Sequence, residues 1–182
     1  RPRIKSTNDY NLIIFSSPST PRGYDSPKKR TNPLGIIFGK RFVITIHKEK
    51  INTIDEIETN SNKFKERFGK GLDYFLFDML SSITKEFNSI VGKIDDDLDD
   101  IEEEVLKGDQ GILQKISSSK KSLMALRKSS AGNREVVVSI IKSKLFKQTK
   151  LFEELYVETT QFSEQIELHK ERVSSALDIY FT

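Results

Sequence analysis

The chain has 182 residues, a formal net charge of +3 and no cysteine. With 31% charged and 36% hydrophobic residues, its composition is that of a folded protein of one or two domains. The absence of cysteine excludes disulfides, thiolate zinc sites and cysteine nucleophiles. The two histidines, His47 and His169, are far apart in sequence, and no common catalytic motif is present, so an enzyme is not expected.

Residues 1–70 are predicted to form a partial α/β domain. Apolar segments predict three strands, at residues 11–15, 34–38 and 42–47. The Ser-, Pro- and Lys-rich residues 16–33 between the first two are typical of an exposed loop. Three strands are few for an independent sheet, so the sheet is predicted to be incomplete or covered by helices.

Two helical patterns follow the strands. Residues 51–68 carry the spacing of one or two short amphipathic helices, with a break predicted at 60–62. A longer apolar stripe then begins at Leu72 and continues to Val105, which predicts one helix of roughly 35 residues.

The last turns of this long helix are crowded with carboxylates, which oppose the helix dipole. This acidic tip consists of Asp95, Asp96, Asp97, Asp99, Asp100, Glu102, Glu103 and Glu104. The pattern fits a solvated face and also a functional one. In either case, a nearby cation is expected to offset the negative charge.

A second long helix is predicted over residues 111–142. Gly108 suits the residue just after the first helix, and Asp109 suits the N-cap of the second. The turn is so short that the helices must be antiparallel neighbours, which makes 71–142 a helical hairpin. Counting back from the turn places Lys120 and Lys121 near the acids, so these lysines are expected to offset them. The pair Gly132-Asn133 is predicted to weaken the helix locally.

Residues 143–182 are predicted to form a short connection and a last helix over about 150–181. Its apolar positions alternate by three and four, which is a heptad seam, but Thr159 and His169 occupy two of them. His169 is interpreted as a packed, hydrogen-bonded residue, with a metal role as the alternative. The seam is expected to be too long for the hairpin and sheet to cover, which predicts self-association. The fold class is thus α+β: a small partial β-sheet with short helices, followed by three long helices.

Several stretches resemble, in order and spacing, the cytoplasmic domain of the CorA family of magnesium and cobalt channels. RPRIK at the start resembles the segment leading into a central strand, and residues 33–50 resemble the strand hairpin of that family. KIDDDLDDIEEEVLKG and residues 120–140 resemble its two long helices, while FEELY and ALDIYFT resemble its stalk helix.

The resemblance implies a homopentameric channel in the cell membrane, with this segment on the cytoplasmic side. It further implies that membrane helices follow Thr182, so the chain is expected to be a piece of a longer protein. Divalent ions, Mg²⁺ or Co²⁺, bound between neighbouring subunits would then hold the closed state, which makes the segment a metal sensor.

Three candidate metal ligands follow from the same resemblance. Glu154 matches the stalk carboxylate of the intersubunit site, and a second contributor matches Ser81, for which the nearby Asp78 is a substitute. Asp178 matches an acidic position near the membrane entrance. The alternatives are an exposed helix residue for Glu154 and a helix-end surface charge for Asp178.

Two further functions are compatible with the sequence. A zinc transporter of the same family is one, and a scaffold that binds a basic partner through its acidic tip is the other. Nucleic-acid binding is not expected, because the basic residues of the second long helix lack interleaved aromatic residues and lie beside the acids.

Overall fold

The computed structural model describes residues 2–19, 31–107 and 111–181, apart from the side chain of Lys63. Within these residues the chain forms four strands, β1 Arg3–Ser6, β2 Asn11–Pro18, β3 Thr31–Phe38 and β4 Val43–His47. Five helices follow, α1 Asn52–Thr59, α2 Ser61–Lys70, α3 Leu72–Leu106, α4 Ile112–Ser143 and α5 Thr149–Tyr180. The predicted α+β class is therefore confirmed.

The sheet is antiparallel, with strand order β1-β2-β3-β4. Its register pairs Phe15 with Leu34 and Ile36 with Thr45. One face is fully buried, and its apolar side chains are Ile13, Phe15, Leu34, Ile36 and Phe38. The burial of alternate residues on β2 and β3 follows from the two-residue period of a strand.

The prediction of three strands was wrong, because the described residues form a fourth, β1, at the edge of the sheet. Its residues RIKS are mostly charged or polar and give little strand signal, and pairing with β2 holds them instead. The loop predicted over 16–33 is also shorter than expected, since β2 continues to Pro18 and β3 begins at Thr31. The remainder of that loop, residues 20–30, lies outside the described residues.

The break predicted between the short helices is confirmed at Asn60, whose φ of −103° and ψ of 38° separate α1 from α2. The start of α1 is held by Glu86 of α3. The Thr53 backbone N–H donates to Glu86 Oε1 at 2.8 Å, and the Thr53 hydroxyl donates to the same oxygen. Partial burial raises the pKa of the Glu86 carboxyl, although both hydrogen bonds from Thr53 oppose the shift.

Replacing Glu86 with Gln should alter the pH dependence of stability. Because the folded state raises the pKa of Glu86, it binds the proton more tightly than the unfolded chain does. The wild type therefore loses stability as pH rises from the ordinary carboxyl range through the raised pKa, whereas Glu86→Gln keeps the acceptor oxygen and has no proton to lose. We expect the variant to gain in relative stability over that pH range, as measured by urea unfolding. A pH-independent difference would contradict this account.

The three long helices pack around one continuous apolar core. The stripe predicted on α3 is buried at Met79, Ile83, Phe87, Ile94, Leu98, Ile101 and Val105, whereas Leu72, Phe75 and Ile90 are only partly buried. Every seam position predicted on α5 is buried except Tyr180.

The expectation that the seam of α5 is too long for the chain itself to cover was wrong. The helices α3, α4 and α5 have 35, 32 and 32 residues, so two helices of matching length flank α5 along its whole course. The heptad pattern of α5 therefore reports an intramolecular bundle, and it does not by itself require a second copy.

The pair Gly132-Asn133 is where α4 meets the sheet. Both residues are buried. A Cβ at Gly132 would lie 2.7 Å from Pro2 Cγ, so glycine allows the close approach of the segment before β1. The Asn133 side chain accepts the Ser16 N–H at 2.8 Å and donates to the Ser16 carbonyl at 2.9 Å. The predicted weakening of the helix is thus offset by a specific contact with β2.

Candidate functional site

The first candidate region lies near the base of the bundle, where α3 and α5 run side by side. Glu154 is exposed on α5, and in the described part of the chain it forms no ion pair within 4 Å. One turn further on, Glu158 Oε2 accepts a hydrogen bond from the Ser81 hydroxyl of α3 at 2.9 Å. Asp78 lies three residues before Ser81, so Asp78 and Glu154 are at a similar height on neighbouring helices.

Asp78 already has a cationic partner. Arg67 of α2 binds it with two hydrogen bonds, from Nε to Oδ2 at 2.5 Å and from Nη2 to Oδ1 at 2.7 Å. Asp78 in turn raises the pKa of the Arg67 guanidinium above its ordinary value through these hydrogen bonds. A metal at Asp78 would have to displace this bidentate pair, which is a strong arrangement for a carboxylate.

Glu158 is a residue that sequence reasoning missed. It follows Glu154 by four residues, so both carboxylates lie on one side of α5. That spacing is visible in the sequence, but so are many other pairs of acids at the same spacing. Only the contact with Ser81 singles out Glu158.

Asp178 lies at the other end of α5 and is exposed. It is separated from Glu154 by 24 helical residues, or about 36 Å at 1.5 Å per residue. One ion cannot bind both. Among the residues the structure describes, no group of three or more His, Asp or Glu side chains is arranged to hold a metal ion.

The acidic tip is neutralised mainly by Arg172 of α5. Its guanidinium donates from Nε to Glu102 at 2.8 Å, from Nη1 to Asp95 at 2.6 Å and from Nη2 to Asp99 at 2.6 Å. Hydrogen bonds to Glu102 and then Asp99 raise the pKa of Arg172 further above its ordinary value. All three acids lie on the side of α3 that faces α5, so Arg172 fastens the tip to the last helix.

Two lysines contact the remaining partnered acids. Lys115 binds Glu104 at 2.6 Å and Lys107 binds Glu103 at 3.4 Å. The expectation that Lys120 and Lys121 offset the acids was wrong: in the described residues neither makes an ion pair within 4 Å. Both are exposed on α4, whereas the acids are offset mainly by Arg172 of α5, with smaller contributions from Lys115 and Lys107.

Asp96, Asp97 and Asp100 are exposed and form no ion pair within 4 Å in the part of the chain that is described. They leave the outer side of α3 negatively charged.

His169 is packed in the bundle, as predicted. Its side chain is 8% exposed, and Nδ1 lies 3.4 Å from Asp95 Oδ1. The geometry of that contact does not meet the requirements of a hydrogen bond, so Nδ1 is a buried atom without a hydrogen-bond partner. The predicted packing is confirmed, whereas the predicted hydrogen bond is absent at this nitrogen.

The α+β fold of this chain matches that of a CorA soluble domain. The structure of the soluble domain of CorA from Methanocaldococcus jannaschii superposes with a TM-score of 0.86 and 28% identity, over 99% of this chain and 73% of that one. The cytoplasmic domain of ZntB from Vibrio parahaemolyticus has a TM-score of 0.82 at 15% identity, which shows the fold alone.

Sequence comparison agrees with the fold. The family model of the CorA-like Mg²⁺ transporter protein matches residues 1–182. The chain therefore belongs to the CorA family, and the resemblance found in the sequence is confirmed.

The cobalt/magnesium transport protein CorA of M. jannaschii is 30% identical over 185 residues, which cover 98% of this chain and 57% of the relative. The protein of the same name from Thermotoga maritima is 23% identical, and the alignment covers 53% of its length. The chain thus spans about half the length of these relatives. In the described residues, no helix combines the length and apolarity needed to cross a membrane.

Proposed function

We propose that this chain is the metal-sensing regulatory domain of a CorA-type channel for divalent cations, with Mg²⁺ or Co²⁺ as the transported and sensed ion. The family match over the whole chain carries the proposal. In this proposal, the segment lies at the cytoplasmic face of the cell membrane, and the full-length protein is a homopentamer.

Glu154 is the proposed sensing ligand. It is exposed on α5 and has no cationic partner among the described side chains, so its carboxylate can accept a metal without first breaking an ion pair. Mg²⁺ keeps several of its waters and is commonly bound by one or two carboxylates. A single exposed carboxylate therefore suits this ion, directly or through a bound water.

The second ligand is proposed to come from a neighbouring copy. Within one chain Asp78 is occupied by Arg67, and Asp178 is about 36 Å from Glu154 along the helix. An ion held between copies would favour the assembled state over separate chains, since a ligand that binds only one state stabilises it. Loss of the ion would free the subunits to move, which is the proposed regulatory signal.

Mg²⁺ should stabilise the wild-type chain, and Glu154→Gln should remove the effect. At a metal concentration about tenfold above Kd, binding to the folded state alone adds about 1.4 kcal/mol to the free energy of unfolding. Thermal unfolding and sedimentation in Mg²⁺, in Co²⁺ and in chelator measure both stability and assembly.

The matched control is Glu153→Gln, which removes an exposed carboxylate from the adjacent position of α5. It should respond to Mg²⁺ as the wild type does. The sensing role fails if Mg²⁺ and Co²⁺ change neither the melting temperature nor the oligomeric state of the wild type. A larger response to Zn²⁺ than to Mg²⁺, lost in Glu154→Gln, would favour the zinc-transporter alternative.

A scaffold role for the acidic tip is the second candidate. The observation that favours it is that Asp96, Asp97 and Asp100 are exposed and make no ion pair in the described structure. A partner captured through these three residues, with the same affinity in Mg²⁺ and in chelator, would favour this function over metal sensing.

A further inference from the structure

His169 is a buried histidine whose Nδ1 atom faces the acidic tip. Its side chain is 8% exposed, and Nδ1 lies 3.4 Å from Asp95 Oδ1. In the described structure this nitrogen has no hydrogen-bond partner. Such an atom is unusual in a folded protein, because it has lost its hydrogen bonds to water without forming others. His169 follows Glu154 by 15 helical residues, or about 22 Å, so it is not part of the proposed sensing site.

The contact between His169 and Asp95 depends on a proton. A neutral imidazole carries a hydrogen on one ring nitrogen, whereas a protonated imidazole donates from both. The lack of a hydrogen bond at Nδ1 fits the neutral ring with its hydrogen on Nε2, because the Nδ1 lone pair then faces a carboxylate oxygen. A proton at Nδ1 would turn the same contact into a charge-assisted hydrogen bond, for which about 2.7–2.9 Å is usual. The observed 3.4 Å therefore leaves room for the contact to shorten.

Asp95 has the capacity and the charge to accept this hydrogen bond. A carboxylate has about four acceptor sites, and Arg172 Nη1 occupies one of them at 2.6 Å. The same guanidinium also bonds Asp99 and Glu102. Three carboxylates thus share one cation, which leaves the cluster with a formal charge of −2. A proton on His169 would reduce that charge to −1.

The other groups around His169 do not supply a competing partner. Among the described strands and helices, α3 and α4 are the ones that pack against α5. Arg127 of α4 pairs with Glu167, which places the buried Leu123 and Leu126 at the level of His169. The charged residues of α4 near this level are all exposed: Lys120, Lys121, Arg127 and Lys128.

On α5 itself, the neighbouring cations already have acidic partners. Lys170 bonds Glu167 at 2.7 Å, and Arg172 bonds the acids of α3. Asp95 is therefore the charged group of another helix that lies against His169 Nδ1 in the described structure.

We propose that His169 and Asp95 form a proton-binding site that fastens the acidic end of α3 to α5. A proton from water binds to Nδ1, and the resulting imidazolium donates to Asp95 Oδ1 beside the Arg172 contact. Acidification thus strengthens the attachment, whereas Arg172 holds it without His169 once the proton is lost. Histidine is the residue type whose charge ordinarily changes between about pH 5 and 8, which suits it to such a switch. This site goes beyond the proposed metal sensing and requires no metal ion.

Proton binding can be measured at each histidine by NMR of the ¹⁵N-histidine-labelled chain, because the sequence contains only two. The signals that disappear in His169→Phe belong to His169. We expect Asp95→Asn to weaken proton binding at His169 by at least about threefold, because the neighbouring group then carries no charge. The exposed His47 of β4 is an internal reference that should not change.

The matched control is Asp96→Asn. It makes the same chemical change at the next residue of α3, which is exposed and forms no ion pair within 4 Å in the described structure. Proton binding at His169 should remain within about twofold of that in the wild type, because a solvent-exposed charge away from the ring is screened by water.

The effect of the proton on the fold is measured by urea unfolding of the wild type and His169→Phe. Phenylalanine keeps an aromatic ring in the bundle but binds no proton. A proton held more tightly by the folded state stabilises it at low pH, and that contribution is lost as pH rises. Between about pH 8 and pH 5.5, the folding equilibrium constant of the wild type should therefore rise at least about threefold relative to that of His169→Phe. Glu86 is present in both proteins, so its own pH dependence cancels.

Either of two results would overturn the proposal. One is proton binding at His169 that is equally strong in the wild type and in Asp95→Asn. The other is a stability difference between the wild type and His169→Phe that does not vary with pH, and this comparison decides alone if Asp95→Asn fails to fold. All samples contain chelator, so failure here is separate from the metal response that Glu154→Gln tests.

Discussion

Replacing Asn133 with Ala is expected to lower the free energy of unfolding by about 2–4 kcal/mol, the largest effect we predict. The Asn133 amide satisfies both the N–H and the carbonyl of Ser16, and it is 2% exposed. Alanine would leave two part-buried backbone groups of β2 without their present partners. Urea unfolding followed by circular dichroism measures the loss.

Asn133→Asp separates hydrogen bonding from side-chain size. The carboxylate can accept from the Ser16 N–H but cannot donate to its carbonyl, so this variant should also be destabilised. Gln114→Ala, at an exposed position of the same helix, should change stability by less than about 0.5 kcal/mol. If Asn133→Ala were as stable as Gln114→Ala, the amide would not be the link between α4 and the sheet.

Arg172→Met is expected to cost about 2–3 kcal/mol, because three charge-assisted hydrogen bonds are lost at once. Methionine preserves much of the apolar stem but leaves Asp95, Asp99 and Glu102 facing one another without a cation. Partial exposure of these acids, between 42% and 70%, moderates the repulsion through solvent screening. The acidic end of α3 should then separate from α5 first, which hydrogen exchange of residues 95–105 would detect.

Arg172→Lys provides the matched comparison, since an ammonium keeps the charge but cannot reproduce the planar fork. The stability of Arg172→Lys should lie between that of the wild type and that of Arg172→Met. Arg127→Met removes a 58%-exposed arginine that pairs with Glu167, and should cost less than about 1 kcal/mol. Equal losses from Arg172→Met and Arg127→Met would show that the three-carboxylate contact has no special role.

Periodicity determined most of the helical part of this fold. The stripe from Met79 to Val105 and the seam of α5 are buried where the three- and four-residue spacing placed them. This succeeds because a helix exposes its side chains with a fixed repeat, so one buried side imposes a readable pattern over many turns. The sheet was harder to predict from the sequence, because β1 has few apolar residues and depends on pairing with β2.

The pairing of the charged residues was decided only by the tertiary structure. Counting back from the turn selected Lys120 and Lys121 as partners of the acids, whereas Arg172, which follows Asp95 by 77 residues, makes the contacts. The spacing of residues within α3 and α4 does not show which other helix lies beside the acidic tip.

The same limit applies to Asn133 and to the metal ligands. From helix propensity alone, a glycine-asparagine pair is expected to destabilise a helix. Only the packing of β2 against α4 shows that Asn133 forms hydrogen bonds with Ser16. For the candidate ligand Asp78, only the packing of α2 against α3 brings Arg67 to its carboxylate. The amino-acid sequence alone was therefore sufficient to predict the long helices and to recognise the family of this protein. Long-range packing decided its contacts, because a side chain's partner depends on which distant segment the core brings to it.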